Sequence, residues 1–319
     1  MYGRRNLMRI LVRIIVGMAL AFWVLAASAQ EAVDQRRIEM LVTTDWLATH
    51  LQDTDLVVLC VAEDDRFYSA GHIPGGRLIR LSEIVTTRDG IPNQLPTVDR
   101  LQRVFESAGV SNGSRIILYG ERSGVLAARA YFTLDYLGLA DRAALLDGGI
   151  EKWRAEGRPQ STDIPRIAMS NLRMHVRPEI VVDTPHMAEY SHTMSAATRA
   201  VLIDARPPLE YTGEKLSEDL HQAGHIPSAK NLYWRELLQD MEIPELRPLP
   251  ELRNRFEAAG ASPGREVITY CRTGMQSSFD YFIAKYLGYS PRMYVGSFYE
   301  WTRAPRSVES SAGRPVSVP

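Results

Sequence analysis

A chain of 319 residues with 45% hydrophobic and 24% charged residues and a formal net charge of −1 has room for two domains. It is too evenly mixed for a disordered, fibrous or polytopic membrane protein. The neutral balance gives no electrostatic reason for a nucleic-acid partner, and two cysteines exclude a disulfide scaffold and a four-thiolate zinc site. No metal or other cofactor is expected.

The first 29 residues carry Arg4, Arg5, Arg9 and Arg13 and no Asp or Glu. An apolar run from Ile14 to Ala26 follows, then Ala27-Ser28-Ala29. A charged start, a short apolar middle and a small-residue exit read as a secretory signal peptide over 1–29, cleaved after Ala29. The run is short for a ~20-residue membrane span. The mature chain is therefore expected in the periplasm without stable membrane association. There the compartment is oxidising, so a free thiol needs a reason.

The remaining chain repeats itself. Ala70-Gly71-His72-Ile73-Pro74 recurs as Ala223-Gly224-His225-Ile226-Pro227, and residues 95–120 recur as 249–271. Residues 128–139 match 278–289, and Gly148-Gly149-Ile150-Glu151-Lys152-Trp153 matches Gly296-Ser297-Phe298-Tyr299-Glu300-Trp301. Four matched blocks in one order imply a duplicated domain of about 130 residues. The polar, proline-punctuated stretch from Arg154 to Pro178 forms the junction. The division expected is a first domain over 30–160, a linker over 161–178 and a second domain over 179–319.

Within each copy, strands alternate with helices. Residues 56–60 and 115–119 are short apolar runs of the buried-strand kind, as are 200–204 and 266–270. Leu101, Val104, Phe105 and Ala108 have helical spacing, as do Leu252, Phe256 and Ala259, and Gly109 and Gly260 stop those helices. The alternation predicts an α/β fold in which each copy is a mostly parallel sheet covered by helices on both faces.

The copies differ where ligands bind in such sheets, beyond the carboxyl ends of the strands. The second places Cys271 directly after a strand, followed by Arg272, Thr273, Gly274, Met275, Gln276 and Ser277 and then a helix. Backbone N–H groups around such a loop and the positive end of the helix favour an anion, which a thiolate is. The first copy has Gly120-Glu121-Arg122-Ser123-Gly124 there, with no thiol and one residue more. One copy is read as active and one as inactive. Cys60 stands at the place of Asp204 inside an apolar run and reads as a buried hydrophobe. His72 and His225 occur in both copies, which favours a structural role, and Trp153 and Trp301 read as core. A cysteine phosphatase would need an arginine directly after its cradle, and Ser277 stands there.

Across essentially the whole mature chain, the cysteine loop, Asp204-Ala205-Arg206, the paired Ala-Gly-His-Ile-Pro segments and the Gly-x-x-x-x-Trp endings resemble the rhodanese family in its tandem form. In that form an inactive domain precedes an active one. The resemblance implies a sulfurtransferase in which Cys271 takes a sulfane sulfur as a persulfide and a thiophilic acceptor, such as cyanide or a thiol, removes it. Residues 272–277 would cradle the anion and Asp204 and Arg206 would support the loop. Thiosulfate-using members resemble Cys-Arg-Lys-Gly-Val-Thr and mercaptopyruvate-using members Cys-Gly-Ser-Gly-Val-Thr. Arg272 points to thiosulfate, although Thr273 replaces the lysine and Glu210 stands where both groups usually carry arginine. The alternatives are a 3-mercaptopyruvate sulfurtransferase and a non-catalytic sulfur carrier serving a protein acceptor.

Overall fold

The computed structural model describes residues 40–192 and 200–311. The signal segment expected over 1–29 lies outside them. Among the described residues no helix is long and apolar enough to cross a membrane.

The first unit runs β1 (Leu41–Val42), α1 (Thr44–His50), β2 (Leu56–Ala62), α2 (Asp65–Ser69), β3 (Arg77–Arg80), α3 (Leu81–Ile84), β4 (Thr86–Arg88), β5 (Ile91–Gln94), α4 (Val98–Ser107), β6 (Arg115–Gly120), α5 (Val125–Tyr136), β7 (Ala143–Leu146) and α6 (Gly149–Ala155). The second runs β8 (Val181–Val182), α7 (Thr184–His192), β9 (Val201–Asp204), α8 (Pro208–Thr212), β10 (Lys230–Asn231), α9 (Leu249–Ala258), β11 (Glu266–Tyr270), α10 (Gln276–Tyr286), β12 (Ser290–Tyr294) and α11 (Ser297–Thr302). The main sheets have orders β1-β7-β6-β2-β3 and β8-β12-β11-β9-β10, with every pair parallel. The topologies are therefore the same, and the expected α/β fold is observed. The separate antiparallel pair β4–β5 is matched in the second unit by a single antiparallel bridge, Leu238 with Leu246.

Local sequence explains the elements. The inner strand β2 is buried throughout because helices cover both of its faces, which is why it reads as an unbroken apolar run. Gly109 and Gly260 adopt φ of +74° and +92° after α4 and α9. The amides that follow, of Val110 and Ala261, reach back to the carbonyls of Phe105 and Phe256 at 2.9 Å in both units. This satisfies carbonyls that a helix end otherwise orphans, and only glycine takes that backbone cheaply.

The matching histidines tie down straps. His72 stacks on Tyr68, bonds the carbonyls of Tyr68 and Asp163, and pairs in backbone with Ser161. His225 stacks on Tyr211, bonds its carbonyl, and pairs with Glu309. Trp153 and Trp301 are fully buried on the outer sheet faces, their indoles donating to the carbonyls of Pro159 and Ser307.

Helices α5 and α10 pack the units together. Tyr131 meets Phe282 and Phe132 meets Tyr281, both edge-on. One apolar cluster runs from Leu59 and Leu118 through Leu134 and Phe282 to Val267 and Cys271. Buried Asp135 accepts from Tyr281 Oη at 2.7 Å, from Arg177 Nη1 at 2.5 Å and from Lys285 Nζ. Three donors, two of them cationic, compensate a carboxylate that burial would otherwise penalise.

Candidate active site

Register brings the two central strands into equivalent positions. Tyr119 pairs with Cys60 across β6 and β2, and Tyr270 pairs with Asp204 across β11 and β9. Each tyrosine hydroxyl accepts the amide of the isoleucine in its Ala-Gly-His-Ile-Pro segment, Ile73 at 3.1 Å and Ile226 at 3.2 Å. The residue after Tyr270 is Cys271, and the residue after Tyr119 is Gly120.

Cys271 is 1% exposed. Its Sγ accepts the Gly274 amide at 3.2 Å and the Ser277 hydroxyl at 3.6 Å. A sulfur with two donors and no paired carboxylate is placed to hold negative charge. Gly274 has φ +80°, and a Cβ there would lie 2.6 Å from the Val295 carbonyl. The loop needs a left-handed residue without a side chain at the position whose amide reaches the sulfur.

The other expected cradle residues divide. Arg272 is half-exposed, and its guanidinium lies 3.8 Å from Asp219, so it sits at the mouth rather than against the sulfur. The Thr273 hydroxyl accepts from Asn93 Nδ2 at 3.0 Å. Met275 is buried in the common core, and Gln276 opens α10. Ser277 is fully buried, and its carbonyl accepts the Thr269 hydroxyl at 3.0 Å. Among the described residues, the Gly274 N–H and the Ser277 hydroxyl are the groups that bond the sulfur directly, rather than a full ring of amides.

Asp204 and Arg206 are buried and joined at 2.6 Å and 3.0 Å, and Arg206 also donates to the Gly224 carbonyl at 2.8 Å. The guanidinium lies 4.0 Å over the Phe298 ring. Burial alone would lower its pKa, but the Asp204 carboxylate more than reverses that and raises it. The Phe298 amide in turn donates to the Cys271 carbonyl at 3.0 Å. The pair thus clamps the end of β9, the Gly224 segment and α11 around the loop. Glu210 is nearly buried, with Oε2 unpartnered.

Four residues at the site were not singled out from the sequence. Ser297 sits at φ +56° and uses one hydroxyl twice, accepting from the Cys271 amide at 3.2 Å and donating to the Tyr294 carbonyl at 2.9 Å. Its counterpart in the first unit is Gly149 at φ +58°. A serine held where glycine is comfortable was the available signal. Asn93 and Arg129 reach the loop from the first unit, Arg129 through Nη1 to the Gly274 carbonyl at 3.0 Å. Asp280 on α10 is fully buried with neither oxygen partnered; burial first, then negative charge on Cys271 and Asp204, pushes its carboxyl well above the ordinary range.

Cys60 is buried and free, and it packs in an apolar cluster of the first unit separate from the one that holds Cys271. Burial pushes its thiol up to about 12, which leaves it protonated and unreactive at neutral pH. A cavity of about 850 Å³ lined by Arg177, Tyr281, Lys285 and Arg292 includes no residue of the cysteine loop.

The sequence pattern of the Rhodanese-like domain matches residues 43–156 and 187–304. The chain is 32% identical over 272 residues to the sulfur carrier protein TtuD of Thermus thermophilus, covering 82% of this chain and 93% of that one. It is 31% identical over 274 residues to the thiosulfate sulfurtransferase of Azotobacter vinelandii, covering 85% and 97%. Among solved structures, SseA from Escherichia coli, described as a 3-mercaptopyruvate sulfotransferase with the rhodanese fold, superposes with a TM-score of 0.70 at 25% identity over 81% of this chain and 98% of that one.

Proposed function

We propose, from the premise that this chain belongs to the rhodanese family in its tandem form and is a sulfurtransferase, that thiosulfate is its donor and Cys271 its sulfur carrier. The Cys271 thiolate attacks the outer sulfur of thiosulfate. The sulfur–sulfur bond of the donor breaks, its electron pair leaves with sulfite, and a cysteine persulfide anion remains. Cyanide or a thiol then attacks the terminal sulfur, takes it, and returns the thiolate. Splitting the transfer this way replaces one hard step by two easier ones. The observation that carries the reading is the Gly274 N–H aimed at Sγ at 3.2 Å with the Ser277 hydroxyl beside it, donors that serve the thiolate and the persulfide alike.

Arg272 favours thiosulfate over 3-mercaptopyruvate, because a compact dianion gains more from a guanidinium at the mouth than a single carboxylate set further from its sulfur. Asp219 and half-exposure weaken that contact. Arg272→Gly is expected to lower kcat/KM for thiosulfate by about fivefold and for 3-mercaptopyruvate by under about twofold. Initial rates with each donor and cyanide as acceptor test this, and equal losses would leave the thiosulfate assignment without its support. A protein acceptor is the second reading, favoured by the likeness to a relative named as a sulfur carrier.

The division into an inactive domain over 30–160, a linker over 161–178 and a catalytic domain over 179–319 belongs to this proposal, as does export to the periplasm after cleavage at Ala29. The first is supported by the thiol-free loop at Gly120, the second by the charge and apolar pattern of residues 1–29.

A further inference from the structure

Helices α5 and α10 face each other about a local two-fold. The contact of Tyr131 with Phe282 maps onto that of Tyr281 with Phe132 at one constant sequence offset. At the same offset Arg129 matches Phe279, and Gly124 matches Gly274. Each helix therefore delivers one side chain to the left-handed glycine of the opposite unit's loop. Phe279 lies 3.5 Å from where a Gly124 Cβ would be, and Arg129 Nη1 lies 3.5 Å from where a Gly274 Cβ would be. The symmetry breaks in charge: the thiol-free loop receives a phenyl ring and the loop with the thiol receives a guanidinium.

Arg129 is fully buried in an otherwise apolar stretch of α5. It donates to two carbonyls, of Gly274 at 3.0 Å and Asn93 at 2.7 Å, while Nε has no partner. No carboxylate pairs with it among the described residues, and burial pulls its pKa down to about 10, with the charge of Cys271 acting in the opposite direction. A buried cation that two carbonyl dipoles only partly compensate is costly unless an anion lies near. The Gly274 residue that it grips is the one whose amide contacts Sγ at 3.2 Å.

We infer that the non-catalytic unit supplies the catalytic one with a positioning residue. Arg129 pins Gly274 so that its amide meets the sulfur, and its charge stabilises the thiolate and persulfide of Cys271. Asn93 assists by accepting from Arg129 through its carbonyl and donating to Thr273 through its side chain. Among the described residues, the other charged or titratable groups on the elements packed about the loop include Asp280 on α10, Arg272 in the loop itself, Asp204 and Arg206 at the end of β9, and Glu236, whose charge acts on Asp280. Burial raises the Asp280 carboxyl, which disfavours its charged form, and Asp204 is spent on Arg206. Arg129 is thus the buried cation left for the sulfur. This rests on Cys271 as the nucleophile, but it can fail on its own.

The test is alkylation of Cys271 by the neutral reagent iodoacetamide in full-length protein carrying Cys60→Ser, which needs no sulfur donor. Arg129→Met is expected to slow alkylation at pH 7 about tenfold, with the rates converging as rising pH favours the thiolate, the reactive form, in both proteins. Arg129→Lys keeps the charge and is expected to stay within about threefold at pH 7. Should the methionine variant fail to fold, Arg129→Gln keeps hydrogen bonding without charge and takes the same reading. An unchanged rate in the neutral variant, a loss that does not shrink as pH rises, or a lysine variant as slow as the neutral one would overturn the role of the charge. Sulfur transfer by Cys271 would still stand in each case.

Discussion

The two units carry one sheet in one register, and they part at the end of one inner strand, β2 in the first and β9 in the second. In the first, β2 continues to Ala62 and pairs Val61 with Gly120. That pairing sets the Val61 carbonyl 2.1 Å from where a Gly120 Cβ would sit, so no side chain fits. In the second, β9 stops at Asp204, whose carboxylate turns back on the Arg206 amide at 3.0 Å and on its guanidinium. The residue after Tyr270 is then free of strand pairing and carries a thiol. A sheet that keeps pairing leaves no room for a side chain at this position, whereas one closed early by a local ion pair makes room for the thiol. The unequal end of one strand thus separates the unit proposed as catalytic from its copy.

The largest effect expected from breaking this contrast is at the sulfur itself. Cys271→Ser should reduce thiocyanate formation from thiosulfate and cyanide by at least about a thousandfold, because a hydroxyl is scarcely ionised and holds no sulfane sulfur. Initial rates check it, and turnover surviving in the serine variant would place the nucleophile elsewhere. Next is the pair that closes β9. Asp204→Asn leaves a buried guanidinium without its counter-charge and should destabilise the chain by about 3–5 kcal/mol. Urea unfolding measures this. If the loss were small, the ion pair would not be what ends the strand.

The third effect concerns Asp280, which stands where the offset between α5 and α10 gives Ala130 in the first unit. Burial raises its carboxyl in the folded state, so the folded chain holds a proton that the unfolded chain releases once pH exceeds the ordinary carboxylate range. The stability tied to that proton is full below the unfolded value and is lost as pH rises towards the folded one. Asp280→Asn removes this dependence. The variant should gain on the wild type steadily from pH 5 to pH 8 in urea midpoint, and a constant difference would show that Asp280 is ionised in the fold. The smallest effect belongs to the scaffold copy. Cys60→Ser should leave turnover within about twofold, since its thiol is buried, held protonated and packed in a cluster that does not include Cys271. A large loss of activity with the circular dichroism unchanged would end the one-site account.

Local and repeated features were legible in the sequence. The duplication, the strand runs, the glycine stops at Gly109 and Gly260 and the strand–loop–helix at Cys271 each follow from spacing or from residue type at a fixed step. The loop's donors were only partly legible, because which amide meets the sulfur depends on a φ of +80° at Gly274 and on the Val295 carbonyl behind it. Arg129 and Asn93 were not legible at all. Their link to Gly274 and Thr273 spans well over a hundred residues and arises only once α5 packs on α10. Ser297 lay between these cases, since the matched blocks set it against Gly149, but its hydroxyl contact with the Cys271 amide appears only in three dimensions.

The central claim is that sulfur passes through a covalent bond to Cys271 and to no other residue. Intact-mass measurement of the protein after incubation with thiosulfate, followed by peptide mapping, tests it directly. The account predicts a gain of one sulfur atom, release of one equivalent of sulfite, a modified peptide containing Cys271, and loss of the added mass on addition of cyanide. Sulfite released at the rate of turnover with no persulfide on that peptide would contradict it.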